Sequence, residues 1–583
     1  MKRTGLRRRT LLAALPALSI TGGCVNQIRT TVGRDRPSRV RLELLTLPRD
    51  DDLFSLPIAN HLRDMLEIAG IAVDVSPIRP DAFLRDVLVN HDYDLYVWRH
   101  PGLDTPDILR TLLHSRFIEE RGWQNPFGFS NGSIDELLDQ QHRSNSDKLN
   151  AVPDLLELID QECPFLPIGF ERRTRVTRTD TVLPSEWPVE KGAWIFGIRP
   201  PEDDPSNPFS LTFGTTDARV TKNFNPLSVE YREHHHLPAV VYDPLVRKWG
   251  EDYVRWLVAD TEWLSPRGAR SPTIECELRE GLRWHDDELL TASDVAFTFR
   301  LYKDTTLADG DPVVPTTAYR RRTSHVDAVE AVDDRTVRIQ FEDTSRSTAT
   351  DALTVPILPA HVWSDRTELT EVAGIVIAQD TTEALVADNL NPVGSGPYEV
   401  DAIEEEERIV LSRNPDHFAT RGSVGPVPAA VLDELEIEVR PSIGSLVDSV
   451  RSGTLDGSIV NVGPDPAVSE EMLTITNTTD RLLHVGFNHR RSPMSNRQFR
   501  VAVARCVDHH YLQHELLGEK TPITRVPLRD DELVPPSLAG PDAVTERFLG
   551  EPGSGEIDEE TARENFREAG FSYSEDGELL QRQ

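Results

Sequence analysis

Apolar positions along this chain fall into short dense runs separated by stretches of helical spacing. Arg41-Leu42-Glu43-Leu44-Leu45-Thr46-Leu47 has the apolar density and half-alternation of a strand. Ile58, Leu62, Met65, Leu66 and Ala69 then recur at helical spacing until Gly70 stops the pattern, which predicts a helix. Ile71-Ala72-Val73-Asp74-Val75 reads as a second strand, so the three predict a βαβ unit with a parallel pair. Leu155, Leu156, Leu158 and Ile159 predict a helix leading into a strand at Cys163-Pro164-Phe165-Leu166-Pro167-Ile168. Farther along, Thr291 with Ser293-Asp294 is placed to cap a helix whose apolar face is Val295, Phe297 and Phe299. Glu202 to Pro208 reads as a polar linker, and no period of 20–50 residues marks a solenoid.

Length and charge narrow the class. The 583 residues suffice for roughly three to four domain-sized units. Lys+Arg 63 against Asp+Glu 97 leaves a net charge of −34, and lysine occurs only at Lys2, Lys148, Lys191, Lys222, Lys248, Lys303 and Lys520. Such a surface repels nucleic acid and anionic membranes, so no nucleic-acid partner is expected. Abundant carboxylates with few lysines suit concentrated salt, where screening weakens self-repulsion, and a halophilic source is expected. With 38% hydrophobic residues in recurring runs, an acidic disordered chain is excluded. The four cysteines, Cys24, Cys163, Cys276 and Cys506, form no Cys-x-x-Cys pair, and the last three read as buried thiols.

The N-terminus reads as an address. In residues 1–24 a basic region precedes a short apolar run and small residues, as in a secretory signal. Arg8-Arg9-Thr10-Leu11-Leu12 looks like a twin-arginine export signal. Thr21-Gly22-Gly23-Cys24 looks like a lipobox that makes Cys24 the lipid attachment point, although Thr21 departs from the usual aliphatic residue. Residues 25–39 are polar, as a tether would be. The expected location is the extracellular face of the cell membrane, on a lipid anchor.

Short motifs carry a family resemblance. Phe224-Asn225-Pro226-Leu227, Tyr242-Asp243-Pro244-Leu245, Trp284-His285-Asp286, Leu290-Thr291-Ala292-Ser293-Asp294-Val295, Leu358-Pro359-Ala360-His361-Val362-Trp363 and Gly394-Ser395-Gly396-Pro397-Tyr398 follow one another. Phe487-Asn488, Phe499-Arg500-Val501-Ala502 and Glu560 to Phe571 come after them. Together they resemble the family 5 (peptide/nickel-type) solute-binding proteins of ABC importers. Asp287 stands where that family has glycine in a hairpin turn, and Asp tolerates the left-handed conformation needed there. Tyr93-Asp94-Leu95, Gly128-Phe129-Ser130-Asn131 and Cys163 to Ile168 resemble the family's C-terminal third, yet they precede the motifs of its beginning. The order therefore reads as a circular permutation. The resemblance implies an α/β, two-lobed periplasmic-binding-protein-like fold of the class with an extra subdomain. Its expected parts are lobe II from 40–190 and 483–583, and lobe I from 191–482 with a subdomain near 243–400.

The function so implied is capture of a peptide or another small polar solute by lobe closure, and delivery to the permease and ATPase subunits of an ABC importer. A monomer is expected, with no catalytic residue and no cofactor. In peptide-binding relatives an aspartate four residues before a proline anchors the ligand amine; counting back from Pro106 gives Gly102, or Pro101 with a one-residue gap. The ligand-contact candidates are therefore Trp98, Arg99, His100 and Asp104 in and after that strand, together with Asn225. Glu233-His234-His235-His236 and the pair His510 and His514 have the residue types of a metal site. Consecutive histidines point in different directions on a strand, and Gly518 stands where a His-Glu-x-x-His motif needs its second histidine. A solvated loop and a plain helix surface are the simpler readings, and no metal is assigned. The alternatives are a metal-dependent hydrolase, or a sensory or scaffold protein on the same fold.

Overall fold

The computed structural model describes residues 38–581, apart from 101, 104, 144, 180, 182, 184–193, 200–208, 229–236, 251, 309, 311, 372–379, 465 and 531. Strand β1 (Arg41–Thr46), helix α1 (Ser55–Ile68) and strand β2 (Ala72–Pro77) make a βαβ unit whose strands pair in parallel. Helix α1 buries Ile58, Leu62, Met65 and Leu66, and Gly70 leaves it at φ +87°. After β3 (Leu95–His100) come α2 (Ile108–Leu113), α3 (Gly132–Arg143) and α4 (Asn145–Glu162), then the long strand β4 (Phe165–Arg178). Next are β5 (Ser210–Thr215), β6 (Val258–Trp263), β7 (Thr273–Leu278) and α5 (Ala292–Lys303). They are followed by α6 (Arg320–Thr323), β8 (Val326–Ala331), β9 (Thr336–Phe341) and α7 (Arg346–Ala352). The chain continues through β10 (Tyr398–Glu404), β11 (Arg408–Arg413), β12 (Glu434–Val439), α8 (Ile443–Arg451) and β13 (Gly457–Ser458) to a second long strand, β14 (Met472–Phe487).

These strands form a ten-stranded mixed sheet in the order β10-β11-β12-β5-β13-β4-β14-β3-β1-β2, and a smaller antiparallel sheet in the order β8-β9-β7-β6. The two long strands sit in the middle of the large sheet. Residues 172–178 of β4 pair with 472–478 of β14, and Thr177 also meets β13. At the other end, 482–486 of β14 pair with β4 and 482–487 pair with β3. The apolar core divides along the same line. One large cluster collects residues from Trp194 to Ile475, including Phe213, Tyr242, Trp256, Phe299 and Trp363. Two others collect Val40 to Phe170 together with Leu482 to Leu579, one on each face of the β1–β3 sheet. The body around β1–β3 is called lobe II below, and the body around β5 and β10–β13 lobe I. The α/β architecture is that of the periplasmic-binding-protein-like fold.

Local chemistry explains the motifs of lobe I. Thr291 and Asp294 form a reciprocal capping box at α5, with the Thr291 N–H donating to Asp294 Oδ2 at 2.9 Å. Asp287 takes φ +69°, the left-handed geometry of the turn after Trp284-His285. His285 N–H donates to Gly394 O at 2.8 Å, and its ring Nε2 lies 3.0 Å from Gly396 O. Burial lowers the His285 ring to about 4, which keeps it neutral for that contact. Both glycines lie against the Val240-Val241 backbone: a Cβ at Gly394 would stand 2.0 Å from Val241 O, and one at Gly396 2.4 Å from Val240 O. Asp243 is fully buried and accepts from Trp256 Nε1 at 2.7 Å and Arg247 Nη2 at 3.0 Å, with His417 Nε2 at 2.7 Å.

The two ends of the described chain lie together. Val40 N–H donates to Leu579 O at 2.7 Å, Gln581 N–H donates to Ser38 O at 2.8 Å, and Arg39 pairs with Leu580 as an antiparallel bridge. Among the described residues no helix is long and apolar enough to cross a membrane. Residues 1–24, where the sequence leads one to expect an export signal and a lipid attachment at Cys24, lie outside the described residues.

Because backbone atoms, not flexible side chains, occupy the space beside Gly394 and Gly396, G394A and G396A are each expected to lower unfolding stability by roughly 1–3 kcal/mol. Urea denaturation of the two variants checks this, and wild-type midpoints would refute the close-approach explanation.

Candidate functional site

A cleft lies where β4 and β14 pass from one lobe to the other. It encloses about 780 Å³ of space that opens to solvent. Lobe II contributes Asp50 to Phe54, from the loop between β1 and α1, and Arg99 of β3. Lobe I contributes Thr215, Thr216 and Asp217 after β5, Ile443 at the start of α8, and Ile459, Val460 and Asn461 after β13. The crossing strands supply Glu171, Arg173 and Arg481. The loops after β1 and β5 leave the carboxyl ends of parallel strands, where open α/β sheets form their crevices.

An irregularity in the ladder builds the floor. Thr478 pairs with Arg172 and Leu482 with Phe170, so β14 spends two more residues than β4 over this interval. The three residues 479–481 bulge opposite the single residue Glu171. Thr479 Oγ1 donates to Glu171 O at 3.0 Å, and Leu103 N–H donates to Asp480 O at 2.7 Å. A bulge bends its strand and re-aims side chains, and here Arg481 lines the cleft.

The charges on this floor are mutually compensated. Arg99 forms an ion pair with Asp52 and lies 3.8 Å from Glu171 Oε2, while Arg173 lies 3.7 Å from Glu171 Oε1. Asp52 and Glu171 are almost fully buried. Asp52 Oδ1 also accepts from the Phe54 and Ser55 N–H groups at 2.9 and 2.8 Å, which orders the entry to α1. Asn461 ties lobe I to the crossing strand: its Oδ1 accepts from Thr174 N–H at 3.0 Å, and its Nδ2 donates to Glu171 Oε1 at 3.4 Å. At the rim, desolvation and then the Asp217 carboxylate of the opposite lobe push the Asp51 carboxyl above its ordinary value.

The residues singled out in the sequence are distributed unevenly around this cleft. Arg99 lines it. Trp98 and Trp123 stack in the lobe II core at 5.7 Å between ring centroids. His100 is buried, packs edge-on against Trp123 at 4.7 Å, and its Nδ1 accepts from Gly102 N–H at 3.2 Å. Asn225 serves its own lobe: its Nδ2 donates to Ala384 O and Ala387 O at 2.8 and 2.9 Å, and its Oδ1 accepts from Leu227 N–H. Asp104 and His234 to His236 lie outside the described residues. His510 Nε2 lies 2.8 Å from Thr545 Oγ1, and among the described residues no three His, Cys, Asp or Glu side chains are grouped to hold a metal ion. Sequence reasoning missed Glu171, Arg173, Asn461 and Arg481. The signal for the first two was present: the Glu171-Arg172-Arg173 run interrupts an apolar strand where it leaves one core for the other.

Removing Arg99 leaves two buried carboxylates with one guanidinium fewer. R99M is expected to cost about 3 kcal/mol in urea unfolding, and R99K less; a neutral R99M would mean the cluster is not coupled to folding.

Comparisons with known proteins agree with this architecture. A family model described as "Bacterial extracellular solute-binding proteins, family 5 Middle" matches residues 254–582. The peptidoglycan-binding protein YepA of Agrobacterium fabrum is 28% identical over 284 residues, 45% of this chain and 41% of that protein. A putative binding protein of Brucella suis is 27% identical over 339 residues, 54% of this chain and 47% of that protein. The chain thus spans about half the length of these curated relatives. Among solved structures, the Bacillus subtilis oligopeptide-binding protein AppA in complex with a nonapeptide is 18% identical, covering 64% of this chain and 66% of that one, with a TM-score of 0.43. With the family model matching more than half of its length, the chain belongs to the bacterial extracellular solute-binding proteins of family 5.

Proposed function

We propose that this protein is the extracellular receptor of an ABC importer, capturing a peptide or other small polar solute between its lobes and handing it to the permease. The observation that carries this reading is the cleft at the crossing of β4 and β14, lined from both lobes. A ligand that touches both walls gains contacts only when they approach, so binding favours the closed form. Relatives point to peptide-bearing ligands: besides the peptidoglycan-binding protein, a putative ABC transporter peptide-binding protein of Brucella ovis is 22% identical over 326 residues. The ligand contacts we assign are Arg99, Arg173, Arg481 and Asp217. Asp104 is kept as a candidate from its place in the sequence.

The remaining parts of the proposal concern delivery and chain order. Export follows the twin-arginine route, Cys24 carries the lipid anchor, and the acidic surface serves a monomer working in concentrated salt. The chain is a circular permutation of the family order, with lobe II assembled from 40–190 and 483–583 around lobe I at 191–482. The pairing of Ser38–Val40 with Leu579–Gln581 supports this order, because a permuted chain needs its rejoined ends close in space.

A thermal-shift panel of short peptides, peptidoglycan fragments and small polar solutes tests the receptor reading. A ligand at 100 times its Kd should raise apparent stability by about 2.7 kcal/mol. That shift should shrink in R481Q and persist in D416N, whose side chain is exposed and outside the cleft. No shift across the panel, or shifts indifferent to R481Q, would overturn the reading.

The permutation has its own test. Joining 581 to 38 through a short Gly/Ser linker and opening the chain within 199–212 restores the family order. The product is expected to fold with a Tm within a few degrees of the parent; an insoluble or unfolded product counts against the permutation.

A further inference from the structure

Away from the hinge, the lobes touch a second time, and two histidines meet inside that contact. Lobe II presents α2 and α3; lobe I presents α6, the turn into β8, and α7. The outer part is held by ion pairs: Arg320 Nε and Nη2 donate to Glu120 at 2.7 and 2.8 Å, and Arg143 Nε donates to Asp343 Oδ1 at 2.9 Å. Gln124 Nε2 donates to Thr317 O at 3.0 Å, and Thr348 Oγ1 donates to Asp107 Oδ2 at 3.2 Å. Within lies a small cavity lined by His142 of lobe II and His325 of lobe I. Their rings stand edge to face, 5.4 Å apart, and the two residues are 5% and 4% exposed. None of the four ring nitrogens has a hydrogen-bond partner among the described residues.

We propose that this histidine pair is an acid-sensitive latch, which holds the lobes together while the His325 ring is neutral and releases them when that ring is protonated. The inference rests on the lobe-closure reading above. The charged groups facing the pair are Asp107 just before α2, Arg110 within it, Arg321 from α6 and Asp351 from α7. Arg110 is taken up by Asp139 at 3.0 Å, and Arg321 is ion-paired with Asp351. Asp107 Oδ1 lies 3.7 Å from His142 Nδ1. Among the described residues no carboxylate is ion-paired with His325: Asp351 is engaged by Arg321, and a proton on His325 would face the His142 ring.

The sign of the effect follows from the two environments. An exposed imidazole titrates near 6.5. Between the lobes, burial first and then His142 lower the His325 ring to about 3, with Asp107 and Asp351 opposing. The proton is therefore bound more tightly in the open form. Closure is unopposed above pH ~6.5, and the closed-to-open ratio falls on the order of tenfold per pH unit below it until the latch value is reached. General electrostatics predict the reverse, because acid relieves the self-repulsion of a chain carrying −34 and favours compaction.

Small-angle scattering of the full mature chain from pH 7.5 to 4.5, with no solute added, separates the two. The expected result is a radius of gyration that rises below about pH 6 with unchanged far-UV circular dichroism. H325Q and H325F should remove the rise, with melting at pH 7.5 confirming that each variant is folded. A constant or shrinking radius in the wild type, or a rise that survives in both His325 variants, would overturn the latch. Because no solute is present, a failure of the latch leaves the receptor reading standing. A receptor that binds nothing in the panel would still be able to show acid opening.

Discussion

The structure depends on two strands that belong to both lobes. Strands β4 and β14 carry the chain between them: β4 meets β13 of lobe I at Thr177, β14 pairs with β3 of lobe II through 482–487, and the two strands pair with each other toward both ends. Between these ends the ladder is broken by the bulge at 479–481, and there the sheet holds a cluster of buried charge instead of apolar packing. A uniform ladder would make one stiff sheet. The bulge leaves seven paired residues of β14 on one side and five on the other, so the proposed closure of the lobes would concentrate its motion there. Asp52 and Glu171 against Arg99 and Arg173 keep that point polar without leaving a lone buried charge, which would be far more costly than the paired set.

The same cluster connects the hinge to the cleft walls. Asp52 faces Arg99 with one oxygen and orders the start of α1 with the other, so the lobe II wall is positioned by the group that neutralises the floor. Asn461 does the corresponding work from lobe I, bonding Glu171 and the Thr174 backbone. Displacing Glu171 would disturb both walls. Under the proposed receptor reading, a ligand pressing on one wall would act on the hinge through one or two side chains and so couple occupancy to closure.

Much of the fold was legible because it is local. The β1–α1–β2 unit, the Thr291–Asp294 capping box and the left-handed Asp287 each depend on residues within a short stretch of chain. The Gly394-Ser395-Gly396 motif was visible, but its reason was not: the glycines admit the Val240-Val241 backbone, a contact across more than 150 residues. The cleft was legible only in part. β3 alternates its side chains, so Arg99 reaches the cleft while Trp98 and His100 pack around Trp123 on the other side. Which face was which depended on the pairing of β3 with β14, from Leu482 against His100 to Phe487 against Leu95, a contact nearly 400 residues apart in sequence. Glu171, Asn461 and Arg481 come together only after the long strands pair, at sequence separations near 300.

Two contacts between the lobes now have distinct physical roles. The hinge constrains the path of closure, because its strands are covalently continuous with both lobes. The far contact sets how firmly the closed form is held. Its ion pairs are partly exposed, and such pairs contribute only about 0–1 kcal/mol each, less in salt. At high ionic strength they would be weaker still. What screening cannot reach is the buried interior of that contact, where His142 and His325 stand edge to face. A protein whose surface electrostatics are muted by salt would have to place any charge-dependent control in such an interior, where desolvation, not Coulomb attraction across water, governs the response.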